Sequence, residues 1–293
     1  MEGRSPSPGN IWNRCRRGER SRKSRVGAHP NDTRRSFLLR GIYLVAAFLS
    51  AALLLGPTPP RPAPQHDAPD LWLWAWERPE DLSFLRGHER RVGVAYLART
   101  LRVDGDRVFS DTRQQPLVVP EHVWLSTVVR IEVPRGRAPS PSTLPQVVDQ
   151  VLAAWSESKA PRVQIDFDAR RSETAYYTQL LTALRAQLPQ GVALDITALA
   201  AWCAQEHSWL DAAKLPVDRV VPMVFSMGPD TRLVRAWLSV RGEFKSPQCR
   251  DALGISTDEP FAPSHSVQTV YAFSPRPWTA ASAHALPRWK DFP

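Results

Sequence analysis

Short apolar runs recur along residues 71–273, and stretches with helical periodicity separate most of them. The runs are rich in β-branched and aromatic residues and predict eight strands, over residues 71–76, 91–98, 126–133, 162–168, 192–199, 219–225, 251–257 and 266–273. The stretches between them predict helices over residues 79–87, 143–158, 172–188, 205–214 and 231–240. Strands that alternate with helices are typical of parallel βα units. We therefore predict an α/β fold, a compact (β/α)8 TIM-type barrel, with an open doubly wound sheet as the alternative.

One departure from this alternation follows the second predicted strand. The segment TLRVDGDRVFSD alternates apolar and polar residues on both sides of Asp104-Gly105, a dipeptide that favours a tight turn. The sequence therefore predicts a hairpin inserted between the second and third strands.

The fourth predicted strand, RVQIDFD, carries the polar residues on which most of the chemistry depends. Side chains alternate faces along a strand, so Gln164, Asp166 and Asp168 share one face and Ile165 and Phe167 share the other. Two carboxylates on an apolar strand are costly to bury unless they are paired, protonated or bound to a ligand. Because barrels of this class place their sites at the carboxyl ends of the strands, we expect both carboxylates at the barrel mouth.

Further candidates follow the other predicted strands. The candidate catalytic carboxylates are Asp166, Asp168, Glu77, Glu132, Asp258 and Glu259. The candidate substrate-binding residues are Trp76, Arg130, Gln164, Trp202, Tyr271 and Trp278. Structural alternatives stand beside these roles, because Arg130 could neutralise a buried aspartate, Asp258 could cap a turn and the tryptophans could fill a core.

The first 69 residues have a different pattern. Residues 1–33 are rich in Arg, Ser and Pro without apolar periodicity, which predicts a disordered basic leader. Residues 34–56 contain paired arginines followed by an apolar run at 41–56, and this segment resembles a twin-arginine export signal. No clean cleavage site follows, so an uncleaved membrane anchor is the alternative. The Pro-rich residues 57–69 predict an extended linker, which leaves residues 70–293 as the barrel domain.

These features predict where the protein works. We expect export through the twin-arginine or general export machinery, or anchoring to the bacterial cytoplasmic membrane through residues 41–56. The barrel domain would then be periplasmic or extracellular.

Charge and composition narrow the classes of partner. The net charge of +9 is concentrated in residues 1–40, which carry +8, so the rest of the chain carries only +1. A nearly neutral body argues against nucleic-acid binding. No glycine-rich phosphate-binding motif follows a strand and the seven histidines lack zinc spacing, so we predict neither a cofactor nor a metal centre. Cys203 and Cys249 could form a disulfide in an exported protein, but strand order would place them at opposite barrel ends, and the sequence leaves the pairing open.

The fourth strand resembles the D-x-x-D-x-D-x-E signature of chitinase-like glycoside hydrolase barrels. Asp166 and Asp168 match its second and third aspartates, whereas Val163 and Arg170 replace the first aspartate and the glutamate. The resemblance implies a glycoside hydrolase barrel in which that glutamate is the general acid. Since an arginine cannot donate the proton, another acid would be needed here.

A broader resemblance covers residues 71–278. The segments WAWERPEDLSFL, GVAYLA, VQIDFDA, ITALAAWC, VPMVFSMG, GISTDEP and YAFSPRPW are together similar to a bacterial family of exported proteins catalogued as a domain of unknown function. This resemblance implies a barrel related to glycoside hydrolases and supplies no catalytic residues.

Two functions follow as hypotheses. The first is a glycoside-hydrolase-like enzyme that acts on an envelope or extracellular glycan, and the alternative is a non-catalytic protein that binds a glycan or cell-wall polymer at the same mouth. A mouth closed by ion pairs with Arg130, Arg170 or Arg276 would argue against both. The acidic cluster would then only stabilise the barrel.

Overall fold

The computed structural model describes residues 68–205, 208–228, 231–261, 267–286 and 289, which all lie in the compact unit Pro64–Pro293. The predicted leader, the predicted signal or anchor segment and most of the predicted linker lie outside the described residues. Among the described residues, no helix combines the length and the apolar character needed to cross a membrane.

Eight parallel strands close into a barrel. In chain order they are β1 (Leu71–Ala75), β2 (Val92–Asp104), β3 (Leu125–Glu132), β4 (Arg162–Asp166), β5 (Ala193–Leu199), β6 (Arg219–Met223), β7 (Ala252–Ser256) and β8 (Thr269–Phe273). Each strand pairs with the next in the chain, and β8 pairs with β1 to close the sheet. All eight predicted strands and the predicted barrel are confirmed. The open sheet is excluded because its first and last strands would be unpaired edges.

Helices cover the outside of the barrel. Their bounds are α1 (Leu144–Ser158), α2 (Thr174–Gln187), α3 (Ala200–Cys203), α4 (Trp209–Ala213), α5 (Thr231–Arg241) and α6 (Ala280–His284). The three long helices agree with the predictions because each has a stripe of apolar residues facing the strands; in α1 this stripe contains Val147, Val151 and Ala154. The helix predicted over residues 205–214 is only partly confirmed, since α4 accounts for its second half.

The helix predicted over residues 79–87 is wrong. Glu80–Asp81 instead forms a short strand that pairs with Leu117–Val118, and a single 3-10 turn, Ser83–Leu85, follows. Backbone pairing outcompetes the helix here, because the N–H groups of Glu80 and Leu82 donate to the carbonyls of Pro116 and Val118.

The two faces of the strands bury different side chains. One face packs aliphatic residues against the helices, and the other fills the barrel with aromatic residues on the β1 and β8 side. Trp72 stacks on Tyr271 with ring centroids 5.6 Å apart, and Trp74 stacks on Phe273 at 4.5 Å. Gly93 of β2 leaves room for this stack, since an added Cβ would lie 2.6 Å from the Trp72 ring.

The predicted hairpin is confirmed, and it continues β2 beyond the barrel. The return strand Arg107–Thr112 pairs antiparallel with β2, and Gly105 adopts a φ of 65° in the turn. A bulge between Leu97 and Arg99 shifts the register of β2 against β3. It turns Arg99 outward to the side chains of α1, so that Thr100 and Arg102 lie on the interior face while Leu101 and Val103 pack in the outer core.

Cys203 and Cys249 form a disulfide with a Cα–Cα distance of 5.9 Å. The expectation that they lie at opposite barrel ends is wrong, because the segment after α5 returns across α3 and α4 before it enters β7. Two hydrogen bonds record this path: Ser246 donates from its backbone to the Cys203 carbonyl and from its hydroxyl to Asp211.

Candidate carboxylate site at the barrel mouth

Asp166 ends β4 at the mouth and is held by residues of both neighbouring strands. Arg130 of β3 donates from Nη1 to Oδ2 at 3.0 Å, and Thr197 of β5 donates from Oγ1 to Oδ1 at 2.7 Å. The side chain is nearly buried, with 4% of the residue exposed. Each carboxylate oxygen therefore has its own donor, and the orientation of Asp166 is fixed.

Asp168 lies two residues beyond Asp166 and has a different environment. It is exposed and makes no hydrogen bond with any residue that the structure describes. Phe167 anchors the segment, since its buried ring meets Tyr177 edge-on with the centroids 5.0 Å apart. Asp168 thus keeps the side predicted for it although β4 ends at Asp166 rather than at residue 168.

The pKa of Asp168 is raised from its ordinary 3.8 to about 6. Crowding by surrounding protein atoms is the largest cause, the negative charge of Asp166 adds to it, and Arg130 opposes both.

Arg130 links the carboxylates to the aromatic side of the mouth. Its Nε donates to Glu132 at 2.9 Å, and its guanidinium carbon lies 5.8 Å from the centre of the Trp76 ring. Burial lowers the pKa of Arg130, but Asp166 and Glu132 outweigh that effect and leave the pKa above its usual value. Half-buried Trp76 also meets Phe273, so the mouth has an aromatic side and an acidic side.

Two further candidate carboxylates take part in local structure near the hairpin and β3. Glu77 is exposed and accepts hydrogen bonds from the backbone of Gln114 and Gln115 at 2.8 and 3.1 Å. Glu132 pairs with Arg130 and is the one of these two that shares a partner with Asp166.

The other two candidate carboxylates belong to the loop after β7. Asp258 accepts a hydrogen bond from the Ser256 hydroxyl, which agrees with a turn cap. Glu259 accepts from the backbone of Ser226 at 3.1 Å and pairs with Arg235 at 3.2 Å. Glu259 therefore holds neighbouring loops together, whereas Asp258 caps its own turn.

The candidate substrate-binding residues lie at different depths in the barrel and in its outer core. Gln164 points into the barrel below Asp166, and neither its Oε1 nor its Nε2 has a partner within the described residues. Trp202 is half-buried and packs on Trp209 at 5.2 Å. Trp278 lies away from the mouth, since it is buried in the outer core and donates from Nε1 to the carbonyl of Trp74.

Tyr271 also lies away from the mouth, deep in the barrel. It belongs to a buried cluster that the site prediction missed, in which Arg162 holds Asp195 through two hydrogen bonds of 2.8 and 2.7 Å. The Tyr271 hydroxyl donates to Asp195 at 3.3 Å and accepts from Arg219 at 3.4 Å. Alternation along ALDITAL could have placed Asp195 inside, because it shares a face with Thr197.

The arginines that could close the mouth do so only in part. Arg130 is engaged by Asp166 and Glu132, and Arg170 is engaged by Glu173 and by the Val133 and Pro134 carbonyls. Asp168 takes part in none of these ion pairs, so one carboxylate stays available.

A separate cavity of about 710 Å³ lies between the loop after β7 and the segment around α6. Ser256, Phe261, Arg276 and Leu286 are among its lining residues, and neither Asp166 nor Asp168 lines it. Among the described residues, no group of three or more His, Cys, Asp or Glu is arranged to hold a metal ion.

Comparison with known proteins finds one family model and two solved structures that are similar to parts of this chain. Residues 125–232, which include Arg130, Asp166, Asp168 and Thr197, match the family described as "Domain of unknown function (DUF3142)". The match confirms over these residues the resemblance to a family catalogued as a domain of unknown function. No curated protein matches the chain.

Two solved structures are similar to this chain at low sequence identity. A Streptomyces coelicolor protein assigned as chitinase A is 12% identical, with a TM-score of 0.48 over 74% of this chain and 95% of that one. The Bacillus cereus spore cortex-lytic enzyme SleL is also 12% identical, with a TM-score of 0.39 over 66% of this chain. The chain spans about half the length of SleL, at 52%.

Proposed function

We propose that the barrel acts on a glycan at its mouth as a glycoside-hydrolase-like enzyme, with Asp168 as the proton-carrying group and Asp166 as its oriented partner. One observation carries the proposal: an accessible carboxyl that makes no hydrogen bond within the described residues lies beside a second carboxyl whose two oxygens are both held. Carboxyl groups whose environments differ in this way divide the acid and charge-stabilising roles of a glycosidase.

The chemical roles follow from these environments. In its protonated form Asp168 donates a proton to the leaving oxygen as the glycosidic bond breaks, and the negative charge of Asp166 stabilises the positive charge that develops on the sugar ring. Water then adds to the ring carbon, and its proton returns to Asp168. With a pKa of about 6, Asp168 is protonated below that pH, so hydrolysis should decline as the pH rises above 6.

The aromatic side of the mouth supports a sugar as the ligand. Trp76 is half-buried, packs against Trp74 with ring centroids 5.4 Å apart, and stands opposite the acidic side across Arg130. A fixed aromatic ring offers a flat apolar surface to the C–H face of a sugar while the carboxylates take its hydroxyls.

Binding without turnover is the second candidate. It is favoured by Arg170, which stands where the chitinase-like signature has its acid and which is itself committed to Glu173. If Asp168 does not transfer protons, the same mouth is a glycan-binding site.

We also propose that the barrel works outside the bacterial cytoplasm, exported or anchored through residues 34–56. The sequence of that segment and the Cys203–Cys249 disulfide support this placement, because disulfides persist in oxidising compartments. Fractionation of cells that express the full chain tests it: we expect the protein in the membrane or envelope fraction. Replacement of Arg34 and Arg35 by Lys should retain it in the cytoplasm if the twin-arginine route is used.

A hydrolysis and binding screen with soluble glycans tests the main proposal. We expect Asp168→Asn to reduce turnover by about 100-fold or more, as loss of a general acid does. Asp251→Asn, an exposed aspartate just before β7 at the other end of the barrel, is the matched control and should keep full activity. Glycan binding without turnover in the wild type would establish the second candidate, and absence of both would contradict the proposal.

A further inference from the structure

A three-stranded wall extends the acidic side of the mouth. Past its bulge, β2 pairs with the return strand Arg107–Thr112 on one side and with the end of β3 on the other. Residues opposite one another in a sheet point to the same face, so rows of this wall continue the face that carries Asp166. The first row contains Asp111, Thr100, Arg130 and Asp166, and the second contains Phe109, Arg102 and Glu132.

Packing of the wall depends on its other face. Leu101 and Val103 are buried there in the outer core, and Ser110 donates to Gln150 of α1. The mouth-side rows are therefore not required to hold the wall in place.

The second row has an exposed aromatic ring with two arginines beside it. Phe109 is 37% exposed, and the guanidinium carbons of Arg102 and Arg107 lie 4.5 and 5.5 Å from the centre of its ring. Arg102 makes no hydrogen bond or ion pair with the residues that the structure describes, and the same holds for Asp111 in the first row. An aromatic ring thus stands beside one free donor and one free acceptor, a combination that suits sugar rings and their hydroxyls.

The mouth side of the wall carries positive and negative side chains in equal number, so it has no net charge. Its mouth-side charges are three arginines and three acids, namely Arg102, Arg107, Arg130, Asp104, Asp111 and Glu132. Such a surface complements a neutral, hydroxyl-rich chain better than a polyanion, which the mouth carboxylates would also repel.

We propose that the wall binds a neutral polysaccharide chain that continues out of the mouth, which makes the ligand a polymer rather than a disaccharide. The inference rests on the proposed glycan site. Adjacent rows are about 7 Å apart along the strands, so a chain that occupies the Asp166 row reaches Phe109 when it is extended along β2.

Isothermal titration calorimetry of the full chain tests the wall proposal. The ligands are two series of neutral oligosaccharides of increasing length, one built from glucose and one from N-acetylglucosamine. On at least one series we expect affinity to rise about tenfold from the disaccharide to the hexasaccharide. Phe109→Ala and Arg102→Gln should each remove most of that rise and leave disaccharide affinity unchanged. Arg90→Gln is the matched control, since Arg90 is an exposed arginine just before the other end of β2.

Several outcomes would overturn the proposal. The length dependence could be absent, or it could survive in both wall variants, or Arg90→Gln could abolish it as well. Preference for carboxymethyl chitin over neutral glycol chitin, with strong salt dependence, would show that the wall receives a polyanion instead.

Asp168→Asn separates this proposal from the proposed function. If turnover fails in the wild type but length-dependent binding persists, the wall proposal stands and the hydrolase does not. If Asp168-dependent turnover appears without length dependence, the hydrolase stands and the wall proposal is overturned.

Discussion

Two arginine–aspartate pairs bridge neighbouring strands inside this barrel, and their surroundings differ. Near the amino end of β4, Arg162 holds both oxygens of Asp195, and side-chain exposure is 6% and 0%. At the mouth, Arg130 holds one oxygen of Asp166 and remains 32% exposed. The lower pair, Arg162 and Asp195, is buried and shielded from solvent. The upper pair, Arg130 and Asp166, is accessible to solvent through Arg130 and lies beside a third group, Asp168.

This difference indicates that the Arg162–Asp195 pair has a structural role, whereas the Arg130–Asp166 pair leaves a neighbouring carboxyl accessible to a ligand. Buried Arg162 and Asp195 satisfy each other, and Tyr271 adds a further donor to Asp195. Burial lowers the pKa of Arg162, but Asp195 outweighs it and raises the pKa, so the arginine stays charged. At the mouth, one arginine serves Asp166 and Glu132 and leaves Asp168 with a raised pKa. A ligand can approach the second arrangement without breaking the barrel.

The largest expected loss of stability comes from removing one partner of the buried Arg162–Asp195 pair. Asp195→Leu leaves the Arg162 guanidinium buried without its partner, and loss of one member of a buried ion pair costs about 3–5 kcal/mol of the free energy of unfolding. Urea unfolding with the disulfide intact measures it.

The double variant Arg162→Met with Asp195→Leu is the control for the lower pair. It removes both charges, so it should recover most of the stability that the single variant loses. If the single variant is as stable as the wild type, the lower pair is not the structural element described above.

A smaller effect is expected at the mouth. Arg130→Met removes one donor from Asp166 but leaves the hydrogen bond from Thr197, and Arg130 is itself 32% exposed, so the free energy of unfolding should fall by only about 1–2 kcal/mol. The same urea titration compares the two sites. A loss as large as that of Asp195→Leu would mean that the upper pair is also a structural element, and the contrast would fail.

Sequence patterns anticipated the barrel because its strands are continuous apolar runs. Parallel strands buried on both faces are rich in Val, Ile and Leu. Seven of the eight strands were located within about three residues of their bounds, whereas β2 extends six residues past its predicted end. The helix predicted over residues 79–87 failed since pairing with residues 117–118 is a tertiary contact that local propensity does not contain. The expectation that Cys203 and Cys249 lie at opposite barrel ends failed for the same reason, because the path of residues 242–250 depends on packing.

The site was predictable in its centre and not in its surroundings. Alternation along RVQIDFD placed Asp166 and Asp168 on one side, and Arg130 on the third predicted strand was a candidate counter-ion for a buried aspartate. Alternation does not reveal the bulge after Leu97, which returns Arg102 to the mouth side. Alternation also does not show how far a residue lies from the mouth along the barrel axis. Tyr271 was therefore predicted at the mouth although it lies at the level of Asp195.

The smallest predicted effect is a pH-dependent change in stability caused by Asp168. Its pKa is about 6 in the folded protein against an ordinary 3.8, so its contribution to stability is present below 3.8 and is lost as the pH rises through 6. Asp168→Asn has no charge to lose. It should unfold like the wild type near about pH 4 and be more stable near about pH 7.5, by less than about 1 kcal/mol because the side chain is exposed and screened. Thermal unfolding at both pH values measures the difference. If Asp168→Asn is instead less stable at the higher pH, the ionised carboxylate stabilises the fold and Asp168 belongs with the lower pair rather than with a reactive site.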